Sequence, residues 1–469
     1  MQINKVYVGN NLDVLKTFPD NSIDSIVTDP PYGLGKEPNA NELLKDWLEH
    51  GYHEIKGKGF MGKEWDAFVP QPILWKECLR VLKSGGHLLS FAGTRTYDWV
   101  VMGLRLAGFE IRDQLAWIYG NGFPKSHDIS KAIDKMMGAE REVVGINPNA
   151  IGRKDNMGQF QPKVDREITD KKRIFNITAP STEEAKQWEG WGTALKPALE
   201  PIVMARKPLD GTVAQNVLKY GVGGINIDGC RVELANGEET WSHGDLGKFE
   251  NVANGYQRKN KSMFVNKGEA SGNTLGRFPA NVIHDGSEEV VKLFPNTEAG
   301  GSITKTYKDN SPLYGDYNVK APFESYGDSG SVARFFYTAK ASQTERNWGL
   351  SGFEEKYTAS AEFRPNHMEK ALEGDNGNPY GRWQPKKNIH PTVKPLDLMR
   401  YLVRLITPKD GICLDPYLGS GTTAIACKSE KINYIGIELI QEYADIAEAR
   451  IKAETVQYDI FDFLDESQE

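Results

Sequence analysis

Asp415-Pro416-Tyr417-Leu418-Gly419-Ser420-Gly421-Thr422-Thr423 is the stretch that decides how this chain folds, and it follows the apolar run Gly411-Ile412-Cys413-Leu414. A short apolar run ending at a Gly-x-Gly turn predicts a buried strand, a tight turn and a helix opening at Thr422. Working outward, Leu396 to Ile406 has helical spacing, Asn433 to Ile437 reads as a strand ending at Glu438, and Glu442 to Ala453 reads as an amphipathic helix. The same texture stands at the other end of the chain. Lys5 to Val8 is a short strand, and Ile23 to Thr28 is a buried strand that runs into Asp29-Pro30-Pro31-Tyr32. Gln71 to Leu82 predicts a helix stopped by Ser84-Gly85-Gly86, and His87 to Ala92 a strand. Tyr97 to Ala107 is a helix closed by Gly108, and Phe109 to Tyr119 and Glu200 to Ala205 are strands. This alternation predicts an α/β fold with helices on both faces of a parallel sheet. Asp29 and Asp415 are expected at one edge of that sheet, a few strands apart.

The chain has 469 residues, 39% of them apolar and 26% charged, which suits a packed core and exceeds one ordinary domain. No apolar run approaches the roughly 20 residues a membrane helix needs, and the N-terminus lacks a signal-peptide pattern, so a cytoplasmic protein is expected. The net charge of −7 gives no bulk basic footprint for nucleic acid, although a local basic cleft is compatible with it. Cys78, Cys230, Cys413 and Cys427 form no Cys-x-x-Cys pair and none follows a proline. Small buried hydrophobes are expected, not metal ligands or nucleophiles. His53, His127, His243 and His284 show no metal spacing, and no metal is expected.

The two turns carry chemistry. Glycines let backbone approach a ligand, and a helix N-terminus offers unpaired N–H groups to a carboxylate. Asp415 is placed to accept from a ligand ammonium group, and Glu438, ending the next strand, to hold ribose hydroxyls. Ammonium, carboxylate and ribose are the ends of S-adenosylmethionine, the expected cofactor. No lysine follows the glycines, which removes a phosphate loop, and their spacing does not suit NAD. A plain strand–helix turn is the bland alternative. In Asp29-Pro30-Pro31-Tyr32 the chemistry concerns an exocyclic amine of adenine or cytosine, whose lone pair is delocalised into its ring. Acceptors for its N–H bonds localise that pair. Asp29 supplies a carboxylate, Pro30 a carbonyl held rigid by Pro31, and Tyr32 an aromatic face for a flipped base. Taken alone, these four residues have a bland alternative, a rigid turn after a strand.

The combined pattern resembles the β-class DNA amino-methyltransferases, the N6-adenine and N4-cytosine group. Val8-Gly9-Asn10, Leu79 to Gly93, Leu115 to Lys125, Glu200-Pro201-Ile202 and His390-Pro391-Thr392-Val393-Lys394-Pro395 extend the resemblance. It implies a circularly permuted Rossmann-like methyltransferase sheet with a large inserted target-recognition domain. Residues 1–208 would be the catalytic half, with a loop-rich insertion at about 138–190. Residues 209–387 would be the DNA-reading insert, and 388–469 the cofactor half. It implies that Asn10 meets the cofactor adenine and that His390, Thr392 and Lys394 close over its methionine end. Asp29, Asp415, Pro416, Tyr417, Gly419, Ser420, Gly421, Thr422, Thr423 and Glu438 would complete the cofactor set. The family usually has Asp where Asn10 stands and often Phe where Tyr417 stands; an amide oxygen and a tyrosine ring keep both roles. Asp, not Ser, opens the catalytic motif, which favours adenine N6 over cytosine N4. Double-stranded DNA and a homodimer are the implied partners. A protein-glutamine or RNA methyltransferase would usually place the cofactor loop first, and a non-enzymatic DNA-binding module would bind no cofactor.

For DNA contacts the sequence offers Lys36, the cluster Arg258, Lys259 and Lys261 between Tyr256 and Phe264, Lys171-Lys172-Arg173, and Lys387 after Trp383. Each is equally readable as a solvated face. Trp188 and Trp191 could wall the base pocket, but packing in the core is the expectation.

Overall fold

The computed structural model describes residues 1–55, 59, 64–120, 122, 126–146, 176–233, 276–298, 329–339, 345–355 and 387–465. One nine-stranded sheet organises them: β1 Lys5–Val8, β2 Ile23–Thr28, β3 Leu82–Phe91, β4 Glu110–Ile118, β5 Leu199–Arg206, β6 Val282–His284, β7 Tyr337–Thr338, β8 Ile412–Asp415 and β9 Asn433–Glu438. Their spatial order is β1-β9-β8-β2-β3-β5-β4-β6-β7. All neighbours are parallel except the pairs β5 makes with β3 and β4. The sheet is therefore mostly parallel and Rossmann-like, not wholly parallel as expected. The reversal of β5 puts its first residues, Leu199 and Glu200, at the edge where β2, β3 and β8 end. Nor are Asp29 and Asp415 a few strands apart: β2 and β8 are direct neighbours, with Leu414 opposite Ile26.

Alternation along the strands explains the two-sided core. Val27, Leu89, Phe91, Ile202, Met204 and Cys413 fall in one buried cluster, while Ile26, Leu88, Val203, Ala205 and Leu414 fall in the other. The second face receives α1 Asn11–Lys16, α2 Ala40–Glu49, α3 Pro72–Val81 and α4 Tyr97–Ala107. The first receives α5 Leu396–Ile406, α6 Thr422–Ser429 and α7 Gln441–Asp465. Start and stop signals act locally: Asn10 caps α1 through Leu12 N–H, Pro72 opens α3, and Gly108 ends α4 in the left-handed conformation.

Other expectations need adjustment. β3 pairs with β2 from Leu82 onward, and residues between the Ile23–Leu82 and Ser25–His87 pairs bulge from the ladder, so Ser84-Gly85-Gly86 lies within the strand. α7 continues as helix to Asp465, beyond the Ala453 end read from the sequence. Within 209–387, β6 and β7 extend the far edge of the main sheet. Trp188 and Trp191 are 42% and 61% exposed and meet each other edge to face at 5.3 Å, so they are not core residues. All four cysteines are buried and unpaired. Among the described residues no helix is long and apolar enough to cross a membrane.

Ile26 is fully buried in the strand that delivers Asp29. Ile26→Ala should lower unfolding stability by about 2–5 kcal/mol in urea melts, through the lost apolar burial and the cavity left behind.

Candidate active site

The ends of β2 and β8 are joined directly. Thr28 Oγ1 donates to Asp415 Oδ1 at 2.7 Å, and both residues are buried. Asp415 also accepts from Tyr417 N–H (3.0 Å) and from Thr423 Oγ1 (2.5 Å). Its carboxylate thus pins the start of the glycine turn and the first turn of α6. Burial pushes the carboxyl up to about 6, against the opposing effect of those three donors. Glu438 does the same on the next strand: Oε2 accepts from Gly419 N–H and Oε1 from Ile440 N–H, both at 2.9 Å. Each acid therefore shapes the glycine loop, and both line the cavity beside it. Gly421 caps α6 at φ +86°, and a Cβ there would come within 2.9 Å of Ala447 on α7.

Across the joint stands Asp29, the residue after β2. Its Oδ1 lies 3.0 Å from Lys394 Nζ in an ion pair. The same ammonium lies 2.9 Å from Glu200 Oε2 and donates to the Tyr32 hydroxyl at 2.9 Å, while that hydroxyl donates to Glu200 Oε2 at 3.0 Å. Lys394 is 9% exposed, and the rings of Tyr32 and Phe91 lie about it. Burial alone would lower its pKa, but Asp29 and Glu200 outweigh burial and raise it. Burial raises the Asp29 carboxyl, with Lys394 opposing and Glu200 adding to the rise. Thr96 Oγ1 donates to the Tyr32 carbonyl at 2.5 Å, fixing the exit of the Pro-Pro turn. Gly33 follows at φ +63°, where a Cβ would lie 2.9 Å from Val69 N.

These residues enclose a cavity of about 420 Å³, within the range of small-molecule sites. Asn10, Asp29, Pro30, Pro31, Tyr32, His390, Thr392, Lys394, Asp415, Pro416, Tyr417, Gly419, Ser420, Thr422, Thr423 and Glu438 all line it. Gly421, expected among them, packs behind the loop instead. Asn10 uses its amide oxygen to cap α1. His390 donates from Nδ1 to the Thr392 carbonyl at 2.5 Å, and burial lowers its pKa to about 4, so the ring is neutral. Apolar Leu418, Leu439, Ile440 and Tyr443 complete a wall suited to an adenosine-sized ligand with a polar tail. Lys36 is exposed and outside the cavity; Lys387 donates to the Ser351 carbonyl at 3.2 Å. Arg258, Lys259 and Lys261 lie outside the described residues, as do Lys171, Lys172 and Arg173. Among the described residues there is no metal-binding cluster.

Sequence reasoning missed Glu200 as a site residue, together with Trp65 and Asp66 in the wall and Arg450 behind it. Glu200 carried a signal: an acid at the head of the apolar strand Pro201 to Ala205. So did Arg450, a charge three residues past Ala447 on the inward stripe of α7.

The raised Asp415 pKa has a defined consequence. The folded protein holds a proton that the unfolded chain, with its ordinary value near 3.8, releases. Stability from this group is fully present below the unfolded value and is lost as pH rises through about 6. Asp415→Asn should remove that loss, gaining roughly 1–3 kcal/mol relative to wild type between pH 4 and pH 7 in paired urea melts.

Comparison with known proteins gives the chain its relatives. A family model for N6/N4 methyltransferases, described as DNA methylase, matches residues 23–222 and 237–449. The type II methyltransferase M.HindIII of Haemophilus influenzae is 26% identical over 244 residues, covering 48% of this chain and 65% of that protein. M2.MboI of Moraxella bovis is 43% identical over 70 residues, covering 15% and 26%. The chain thus spans from about a quarter to just under two-thirds of these relatives' lengths. Among solved structures, PvuII DNA methyltransferase (cytosine-N4-specific) is 12% identical, covering 97% of this chain and 91% of that one, with a TM-score of 0.38. The match over most of its length, across both turns that line the cavity, makes this chain a member of the N6/N4 DNA methylase family.

Proposed function

We propose that the protein methylates adenine N6 in duplex DNA, with S-adenosylmethionine as methyl donor. One observation carries the reading: Asp29, its carboxylate fixed by Lys394, lines the same cavity as Asp415, the glycine turn and Glu438. The cofactor, when bound, supplies an electrophilic methyl group on a sulfonium. Glu438 and Gly9-Asn10 would hold its adenosine end, and His390, Thr392 and the N-terminus of α6 its amino-acid end.

The chain's own groups supply the rest. Asp29 and the Pro30 carbonyl accept from the target amine and localise its lone pair. Lys394 holds Asp29 in place and is itself held by Glu200 and Tyr32. The cluster has one carboxylate in excess over its ammonium, which favours a nitrogen that gains positive charge. Burial also raises the proton affinity of Asp29, which suits it to take the proton this nitrogen then loses. The order of the chain, catalytic turn first and cofactor loop last, supports a circularly permuted arrangement. It leaves 209–387 as the segment to read DNA. Exposed Lys36, four residues beyond Tyr32, is offered to phosphate, and Lys387 to the flank of the insert. Homodimerisation rests on the resemblance. Asp at the head of the catalytic turn favours adenine.

Nucleoside mass spectrometry of duplex DNA incubated with the protein and cofactor should reveal N6-methyladenine. N4-methylcytosine in its place would reassign the base, and no methylated nucleoside would contradict the reading. Asp29→Ala should lower turnover by about a hundredfold to ten-thousandfold, with S-adenosylhomocysteine affinity within about threefold of wild type (~0.7 kcal/mol).

A further inference from the structure

Behind the cofactor loop lie two guanidinium groups that the proposed chemistry does not use. Arg450, on α7, is 2% exposed. Its Nη1 donates to the Ser420 carbonyl (2.5 Å), Ser420 Oγ (3.0 Å) and Thr422 Oγ1 (3.3 Å), and its Nη2 to the Glu345 carbonyl (3.1 Å). Arg346 donates from Nη2 to the carbonyls of His390 (2.8 Å) and Pro391 (3.4 Å). The Nε of each is buried without a partner. Ser420, Thr422, His390 and Pro391 all line the cavity.

Neither guanidinium forms an ion pair with a carboxylate among the described residues. Glu345, beside Arg346, directs Oε2 to Leu396 N–H at 3.1 Å. The Glu345 carboxylate acts on Arg450 only at a distance, so this buried cation, bonded to carbonyls and hydroxyls, is compensated in part, a costly arrangement that an arriving anion relieves. Burial lowers the Arg450 pKa only to about 10, so it stays charged at neutral pH. Its hydrogen bonds fasten the two residues from which α6 opens, and helix N-termini favour anions on their own account.

We infer that Arg450, seconded by Arg346, is a positioning residue for the carboxylate of the cofactor's amino-acid end. It sets the glycine loop in register and makes the potential at that end of the cavity positive. The inference rests on S-adenosylmethionine being the cofactor. A purely structural role would affect every ligand of the loop alike; this one acts on the ligand that carries the carboxylate.

The test is calorimetric, with S-adenosylhomocysteine and its decarboxylated analogue as probes on the intact protein. Wild type should prefer the carboxylated ligand by about tenfold or more. Arg450→Met should weaken that ligand by about tenfold and leave the decarboxylated one within about twofold (~0.4 kcal/mol), while Arg450→Lys should recover part of the loss. Equal weakening of both ligands, or no preference in wild type, would overturn the inference and leave the cofactor reading standing. Failure of wild type to bind either ligand would overturn both. If circular dichroism shows that Arg450→Met does not fold, Arg346→Gln must give the same ligand-selective loss, and its absence would equally overturn the assignment.

Discussion

A single buried ammonium group holds the site together. Lys394 meets Asp29, Glu200 and Tyr32 within about 3 Å, and these partners come from the N-terminal strand–turn and from the start of β5, more than 160 residues along the chain from Tyr32. Without it two half-buried carboxylates would be left beside each other with no cation between them. With it, each is fixed in place by the same cation. The reversal of β5 in an otherwise parallel sheet is what makes this possible, because a parallel β5 would carry Glu200 to the opposite edge.

The second constraint is the contact between β2 and β8. Adjacent strands bring the catalytic and cofactor turns side by side, and the Thr28–Asp415 hydrogen bond removes freedom between them. Asp415 and Glu438 use part of their acceptor capacity on loop backbone and hydroxyl groups. The cofactor half of the cavity is thereby built before any ligand enters, which lowers the ordering cost of binding. Membership of the N6/N4 DNA methylase family fits this division of labour between two neighbouring strand ends.

Much of this was legible in the sequence. Both turns, the strands preceding them and α5 followed from apolar runs bounded by Gly and Pro, because those signals are local. The neighbour relation of β2 and β8 was not, since strand order depends on long-range pairing that no local pattern records. Nor was the reversal of β5, because Leu199 to Arg206 has the same apolar texture in either direction. Glu200 and Arg450 escaped because a lone charge in an apolar element declares a buried partner but not which one. Trp188 and Trp191 went the other way: aromatic residues near a core strand suggested burial, yet they lie on an exposed loop leading into β5.

The central claim, that Lys394 holds two half-buried carboxylates together, is tested by urea unfolding of Lys394→Met with and without Glu200→Gln at neutral pH. Lys394→Met should cost about 3–5 kcal/mol, because it strands both charges. Adding Glu200→Gln should restore at least about 1 kcal/mol, since only Asp29 is then left unpaired. A cost under about 1 kcal/mol for Lys394→Met, with Glu200→Gln adding an independent loss, would contradict the account.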